Sequence, residues 1–101
     1  MEHHVYFWLK DEHRNDSDRA AFEGGLRNLF EIPGAERGTA ARPADVPDRP
    51  VTDQTWDYAL SIPFASVAAH DHYQQHAEHD RFVESFSQLW AKVEVRDLES
   101  V

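Results

Sequence analysis

Four of the chain's seven histidines, His70, His72, His76 and His79, fall within ten residues, and Tyr73 stands among them. An imidazole that titrates near neutrality can take a proton α to a carbonyl. A phenol can donate a hydrogen bond to the enolate oxygen that develops. His79 with Tyr73 is therefore the sharpest candidate for acid–base chemistry in a mostly apolar pocket. The plainer reading of the same residues is structural: His79 satisfies backbone groups at a helix break and Tyr73 packs on a sheet, because sites are grafted onto folds and not implied by them. His72, His76 and His79 also suggest a metal. On one unbroken helix, positions i, i+4 and i+7 lie within about 60° of one another, and two histidines at i, i+4 can share an ion. A break expected near Ala77 scatters the third ligand. No physiological metal and no cofactor is expected, and any metal on the cluster is expected to be adventitious.

The elements that must position these groups follow from the pattern of apolar residues. Residues 3–10 read as a strand rich in aromatic and β-branched side chains, with His3, Val5, Phe7 and Leu9 on one face and His4, Tyr6, Trp8 and Lys10 on the other. His3 thus reaches the same face as the core, either as a pocket residue or as a core-edge histidine with a backbone partner. Tyr6 and Trp8 are too large to leave in water, so a second covering layer is expected on their face. A helix to about Phe30, capped by Asp16 or Ser17, carries the stripe Phe22, Leu26, Leu29 and Phe30. Gly24-Gly25 inside it is read as close packing against the sheet. Ile32-Pro33-Gly34 turns the chain. A weak edge strand over about 35–42 follows, then a proline-restricted loop, 43–55.

A second strong strand spans 56–64, and its ladder ends or bulges at Pro63, which cannot donate. Ser66 caps a helix over 67–75, a second helical segment runs over about 79–89, and a last strand at 91–97 turns Val93 and Val95 inward. The order is βαββαβ with a broken second helix: an α+β, ferredoxin-like, four-stranded antiparallel sheet with helices on one face. A homodimer packed sheet against sheet is the economical way to cover the other face.

Composition narrows the function classes. With 101 residues, one domain spanning 1–101 is expected. Nineteen acidic against ten basic residues give a net charge of −9, so nucleic acid and anionic membrane surfaces are poor partners. No cysteine is present, which removes disulfides and thiol nucleophiles and accords with a cytoplasmic location. The opening Met1-Glu2-His3-His4 has no basic n-region and reads as no signal peptide. No apolar run approaches the roughly 20 residues of a membrane span. Phosphate loops and nucleophile elbows have no local signature.

Nearly the whole chain resembles the Dabb family of stress-responsive dimeric α/β-barrel domains. The resemblance is carried by the opening strand from His3 to Lys10, the turn Ile32-Pro33-Gly34, the passage from Tyr58 to Ser66, and above all Tyr73-x-x-His76-x-x-His79-x-x-Phe82. It implies a ferredoxin-like fold and a two-fold dimer whose sheets form a barrel. In one branch, of the plant olivetolic acid cyclase type, it implies aldol closure of polyketide chains without metal or cofactor, with pocket residues that fall on His3, Tyr73 and His79. The family often has proline where this chain has Ala77, and residues 35–55 differ most from the cyclase branch, so substrate identity does not carry over. The resulting expectation is a small apolar or aromatic carbonyl compound held between sheet and helices, with cyclase-like acid–base chemistry. Two other readings stand beside it: a non-catalytic, stress-associated homodimer, and a dimeric α/β-barrel monooxygenase, since related barrels include such enzymes. A cavity touching both Tyr73 and His79 separates the first from the second.

Overall fold

Strand β1, Glu2–Leu9, is the centre of the structure, a computed structural model that describes residues 1–101. Its burial alternates as the sequence predicts: His3, Val5, Phe7 and Leu9 are buried, and the intervening His4, Tyr6 and Trp8 are half-buried. Helix α1 is Asp16–Asn28. Strands β2, Thr39–Ala41, and β3, Tyr58–Pro63, come next, then helices α2, Val67–Gln75, and α3, Ala77–Phe86, and finally strand β4, Trp90–Leu98. The sheet order is β2-β3-β1-β4 with every pair antiparallel. This is the expected α+β, βαββαβ arrangement with a broken second helix.

The core lies between the sheet and the helices. Phe7, Phe22, Phe82 and Trp90 form a ring cluster with centroids 5.0–6.3 Å apart, and offset or edge-on geometry at these separations adds to the gain from burial. The molecule measures 35 × 34 × 18 Å. Its short dimension accommodates one sheet and one helix layer, so the outer face of the sheet has no second layer of regular structure.

Several boundaries differ from the sequence expectation, each for a local reason. Asn15 caps α1 instead of Asp16 or Ser17; its backbone is extended and its side chain accepts from the Asp18 N–H at 2.9 Å. Asparagine is as good a cap as either, and Asp16 then sits in the first turn, where a carboxylate suits the helix dipole. Only Thr39–Ala41 of the predicted edge strand pairs, against Ala59–Ser61. Strand β3 begins at Tyr58 and not Trp56 because Asp57 is occupied elsewhere: its carboxylate accepts from the Leu9 N–H at 2.8 Å and from Arg14 and Arg19. Trp56 turns instead to the outer face, edge-on to Tyr6 at 5.4 Å. On that face the loop over 42–57 supplies part of the cover, with Trp8 donating through Nε1 to Thr55 Oγ1 at 2.9 Å.

Gly25 does not pack on the sheet. A Cβ there would fall 2.2 Å from the Phe86 ring, so the glycine lets α1 approach α3, while a Cβ at Gly24 would meet open space. Gly34, at φ 94°, makes the turn after Pro33. Val93 and Val95 do face the helix side, opposite Phe7 and Val5, yet they stay 38% and 51% exposed. No helix is laid across this part of β4, and that gap opens the site. No helix of the protein is long and apolar enough to cross a membrane.

Candidate functional site

The helix break sits at His76, one residue before the expected place, and α3 starts at Ala77 instead of His79. His76 is extended (φ −71°, ψ 143°), and its Nδ1 accepts from the Glu78 N–H at 3.1 Å. The capping duty that a structural reading assigns to His79 is therefore performed by His76. This frees His79 to turn inward from the first turns of α3. On α2, His70, Tyr73 and Gln74 share one face by their i, i+3, i+4 spacing, and Ser66 starts that helix by accepting from the Ala69 N–H.

These two helices, β1 and the uncovered stretch of β4, with Leu29 and Leu60, border an open cavity of about 390 Å³. His3, Tyr73 and His79 all line it, and ten of its fifteen lining residues are hydrophobic. The three residues singled out from sequence thus border one space. Tyr73 and His79 meet edge-on with ring centroids 5.0 Å apart, and Tyr73 lies 6.0 Å from His3. Among all the hydrogen bonds and ion pairs of the protein, none involves the Tyr73 hydroxyl or the His79 imidazole. Both polar tips are available to a ligand.

Three further cavity residues escaped the sequence reading as site members: His70, Gln74 and Asp97. Asp97 is brought opposite His3 by the β1–β4 register. His3 Nδ1 and Asp97 Oδ1 are 2.6 Å apart, and Gln74 Nε2 is 3.2 Å from His3 Nε2. The tautomer that satisfies both contacts has Nδ1–H donating to the carboxylate while Nε2 accepts from the amide. His70 lies edge-on to His3 at 4.9 Å, with Nε2 3.9 Å from Asp97 Oδ1. A signal for these residues exists in the sequence: Asp97 continues the Val93, Val95 alternation, and Gln74 follows Tyr73 on the His70 face. What the sequence lacks is the register that joins them to His3.

The electrostatics separate the roles. Burial pushes His79 below the ordinary imidazole value; Asp80 opposes it, and His3 and His70 add smaller effects in the lowering direction. His3 is also lowered, because burial outweighs the pull of Asp97. Burial pushes the Tyr73 phenol up. At neutral pH His3 and His79 are therefore neutral imidazoles and Tyr73 a protonated phenol. His72 is exposed, and its ring is 6.1 Å from that of His76, which is committed to capping. The i, i+4, i+7 histidine set is thus dispersed over surface, cap and cavity.

Comparison with known proteins agrees with this architecture. A Dabb-family protein from Mesorhizobium loti, described as having a ferredoxin-like fold, superposes with a TM-score of 0.81 at 24% identity, covering 99% of this chain and 95% of that one. A dimeric ferredoxin-like protein of unknown function from Thermobifida fusca gives 0.73 at 16% identity over 94% and 85%. The hydroxynitrile lyase of Passiflora edulis gives 0.75 at 19% identity over 94% and 87%. At these identities the likeness is one of fold. No curated protein matches the sequence. The description "Stress responsive A/B Barrel Domain", Dabb, does match residues 1–100. On that match, together with the shared ferredoxin-like fold, the chain belongs to the Dabb family of stress-responsive α/β-barrel domains.

Proposed function

We propose that the cavity binds a small, largely apolar or aromatic carbonyl compound and that Tyr73 and His79 perform acid–base chemistry on it. The observation that carries this reading is the unpaired phenol and unpaired imidazole, 5.0 Å apart between ring centroids, opening on one apolar space. A volume of about 390 Å³ lies within the range of small-molecule sites. The neutral His79 ring accepts the proton from the carbon α to a ligand carbonyl and becomes an imidazolium. The electron pair released moves onto the carbonyl oxygen, which the Tyr73 O–H stabilises as a donor. The enolate carbon then attacks a second carbonyl of the same molecule, and the new alkoxide takes the proton back from His79. His3, held between Asp97 and Gln74, shapes the far wall.

That the fold carries an enzyme in Passiflora edulis supports a catalytic reading in general terms. The working unit in this reading is a two-fold homodimer. Support comes from the half-buried Tyr6, Trp8 and Trp56 on the outer sheet face and from the dimeric neighbour in Thermobifida fusca. The test is turnover of a cyclisable β-polyketone by the wild type, by His79→Gln and by Tyr73→Phe. Both variants should stay folded; His79→Gln should abolish turnover, and Tyr73→Phe should lower it about 10²–10³-fold, as for loss of one oxyanion donor. If the wild type turns over no carbonyl substrate yet binds such ligands as tightly as His79→Gln does, the pocket is a binding site and not an active site.

A further inference from the structure

We propose that His3, His70 and Asp97 form a binding site for one divalent transition-metal ion of the zinc class, on the cavity wall beside Gln74. This goes beyond the acid–base reading and does not rest on it. One ligand atom from each of the three residues lies within 4.8 Å of the other two. His3 Nδ1 is 2.6 Å and His70 Nε2 is 3.9 Å from the same oxygen, Asp97 Oδ1. Metal–ligand bonds of about 2.0–2.2 Å in a tetrahedral array hold ligand atoms roughly 3.3–3.6 Å apart, so the short contact must widen and the long one close, each by less than about 1 Å, and the two imidazole nitrogens, within 4.8 Å of each other, close by up to about 1.5 Å. His70 and Asp97 belong to partly exposed positions at the cavity rim and can make that adjustment. Two imidazoles with one carboxylate select a borderline ion over the hard, oxygen-loving Mg²⁺ and Ca²⁺.

The surrounding hydrogen bonds carry the inference further. A metal-binding histidine donates its other ring N–H to a carboxylate, carbonyl or amide partner, which fixes the tautomer. Here His70 Nδ1 is 3.1 Å from Asp71 Oδ1, which leaves Nε2 with its lone pair on the Asp97 side. His3 Nε2 faces the Gln74 amide at 3.2 Å. When an ion takes the place of hydrogen on His3 Nδ1, the ring's single N–H shifts from Nδ1 to Nε2 by exchange with solvent, and Gln74 turns its amide oxygen to accept it. Both rings therefore possess an outer partner for the nitrogen that the ion does not use. His72 and His76, the pair with i, i+4 spacing, have no third ligand with them. Three protein ligands leave the ion's fourth position toward the cavity, as in open zinc sites.

The experiment uses tag-free protein stripped with a chelator, then titrated with Zn²⁺ by calorimetry and with Co²⁺ by visible absorption. One ion per chain is expected at micromolar affinity or tighter, with the intense bands of low-coordinate Co²⁺. His70→Gln and Asp97→Asn should each weaken binding at least about 100-fold, and Asp71→Asn about 10–100-fold, the range for outer partners. A His72→Gln, His76→Gln double variant should bind as the wild type does. Because a variant can fail by unfolding, the wild type supplies a second measurement: Zn²⁺ should shift the ¹⁵N signals of the His3 and His70 rings and leave those of His72 and His76 in place. Binding that survives both His70→Gln and Asp97→Asn, binding lost in the double variant, ring shifts at His72 and His76 instead, or no ion bound below millimolar concentration would each overturn the proposal. None of these measurements reads turnover, so they stand or fall apart from the activity of Tyr73 and His79.

Discussion

A single histidine, His76, decides what its neighbour can do. By capping α3 with its own ring nitrogen it leaves His79 without a backbone duty, and His79 faces the cavity unpaired. That assignment was not legible from spacing alone, because a break placed at Ala77 or at His76 fits the same apolar pattern. Strand alternation put His3 on the core face of β1, while the cavity positions of Tyr73 and His79 were legible only through the family resemblance. Asp97 was not, because its meeting with His3 depends on a pairing across 94 residues. The lowered pKa of His79, caused first by burial, has a thermodynamic consequence. Its folded value lies below the ordinary 6.5 of the unfolded chain, so the unfolded state binds the proton more readily in the window between the two. Stability should be constant with respect to this group above about pH 6.5 and fall as pH drops from there toward the folded value. His79→Gln should flatten part of that decline, while His3, lowered in the same sense, keeps the rest. Urea midpoints of both proteins at pH 7.5 and pH 5, in chelator, measure it; parallel declines would mean that the His79 ring is as solvated as in the unfolded chain.

At the level of elements, the chain's order and most strand faces could be read from period-two and period-3.6 patterns. What could not be read was which partner each element chooses. The glycine pair in α1 illustrates this. Both glycines look alike in sequence, but only Gly25 is needed for the approach of α3, where the Phe86 ring occupies the place of a side chain. Gly24→Ala should stabilise the protein by about 0.5–1 kcal/mol through helix propensity. Gly25→Ala should destabilise it by about 1–3 kcal/mol, because Phe86 is wedged against Phe22 and Phe82 and must move. Denaturant melts of the two single variants give opposite signs if α1 and α3 pack in this way. The helix-facing side of β4 is the other element whose fate the sequence left open. Val93 and Val95 turn inward as expected, but the break at His76 ends α2 and redirects α3, so neither helix covers them. An inward strand face without a helix is what makes room for a ligand.

At the scale of the molecule, one helix layer on one sheet leaves Tyr6 and Trp8 covered by the 42–57 loop, Trp56 included, and by the Lys92 side chain over the Trp8 ring. These rings are already half-buried, so covering the remainder of each with a second copy is worth about 1 kcal/mol per ring, roughly half the full-burial value. Light scattering at micromolar concentration should therefore report two chains of 11.7 kDa in one particle, and Trp8→Lys should shift the population toward one. Each chain carries a net charge of −9, so two copies repel. The dimer should tighten as salt rises from about 0.01 to 0.15 M, when the screening length contracts from about 30 to about 8 Å. A monomer at all salt concentrations would show that the loop alone is sufficient cover.

The pairing of His3 with Asp97 also sets an order in time. A chain emerges from the ribosome from its N-terminus, so β1 leaves it well ahead of its partner β4. Helices α1, α2 and α3 are local structure and can form without β4. The cavity wall and the His3–Asp97 contact cannot, because closing that long loop needs residue 97 itself. The local helices can thus precede the pocket, and any ligand meets a competent site only once β4 has paired with β1.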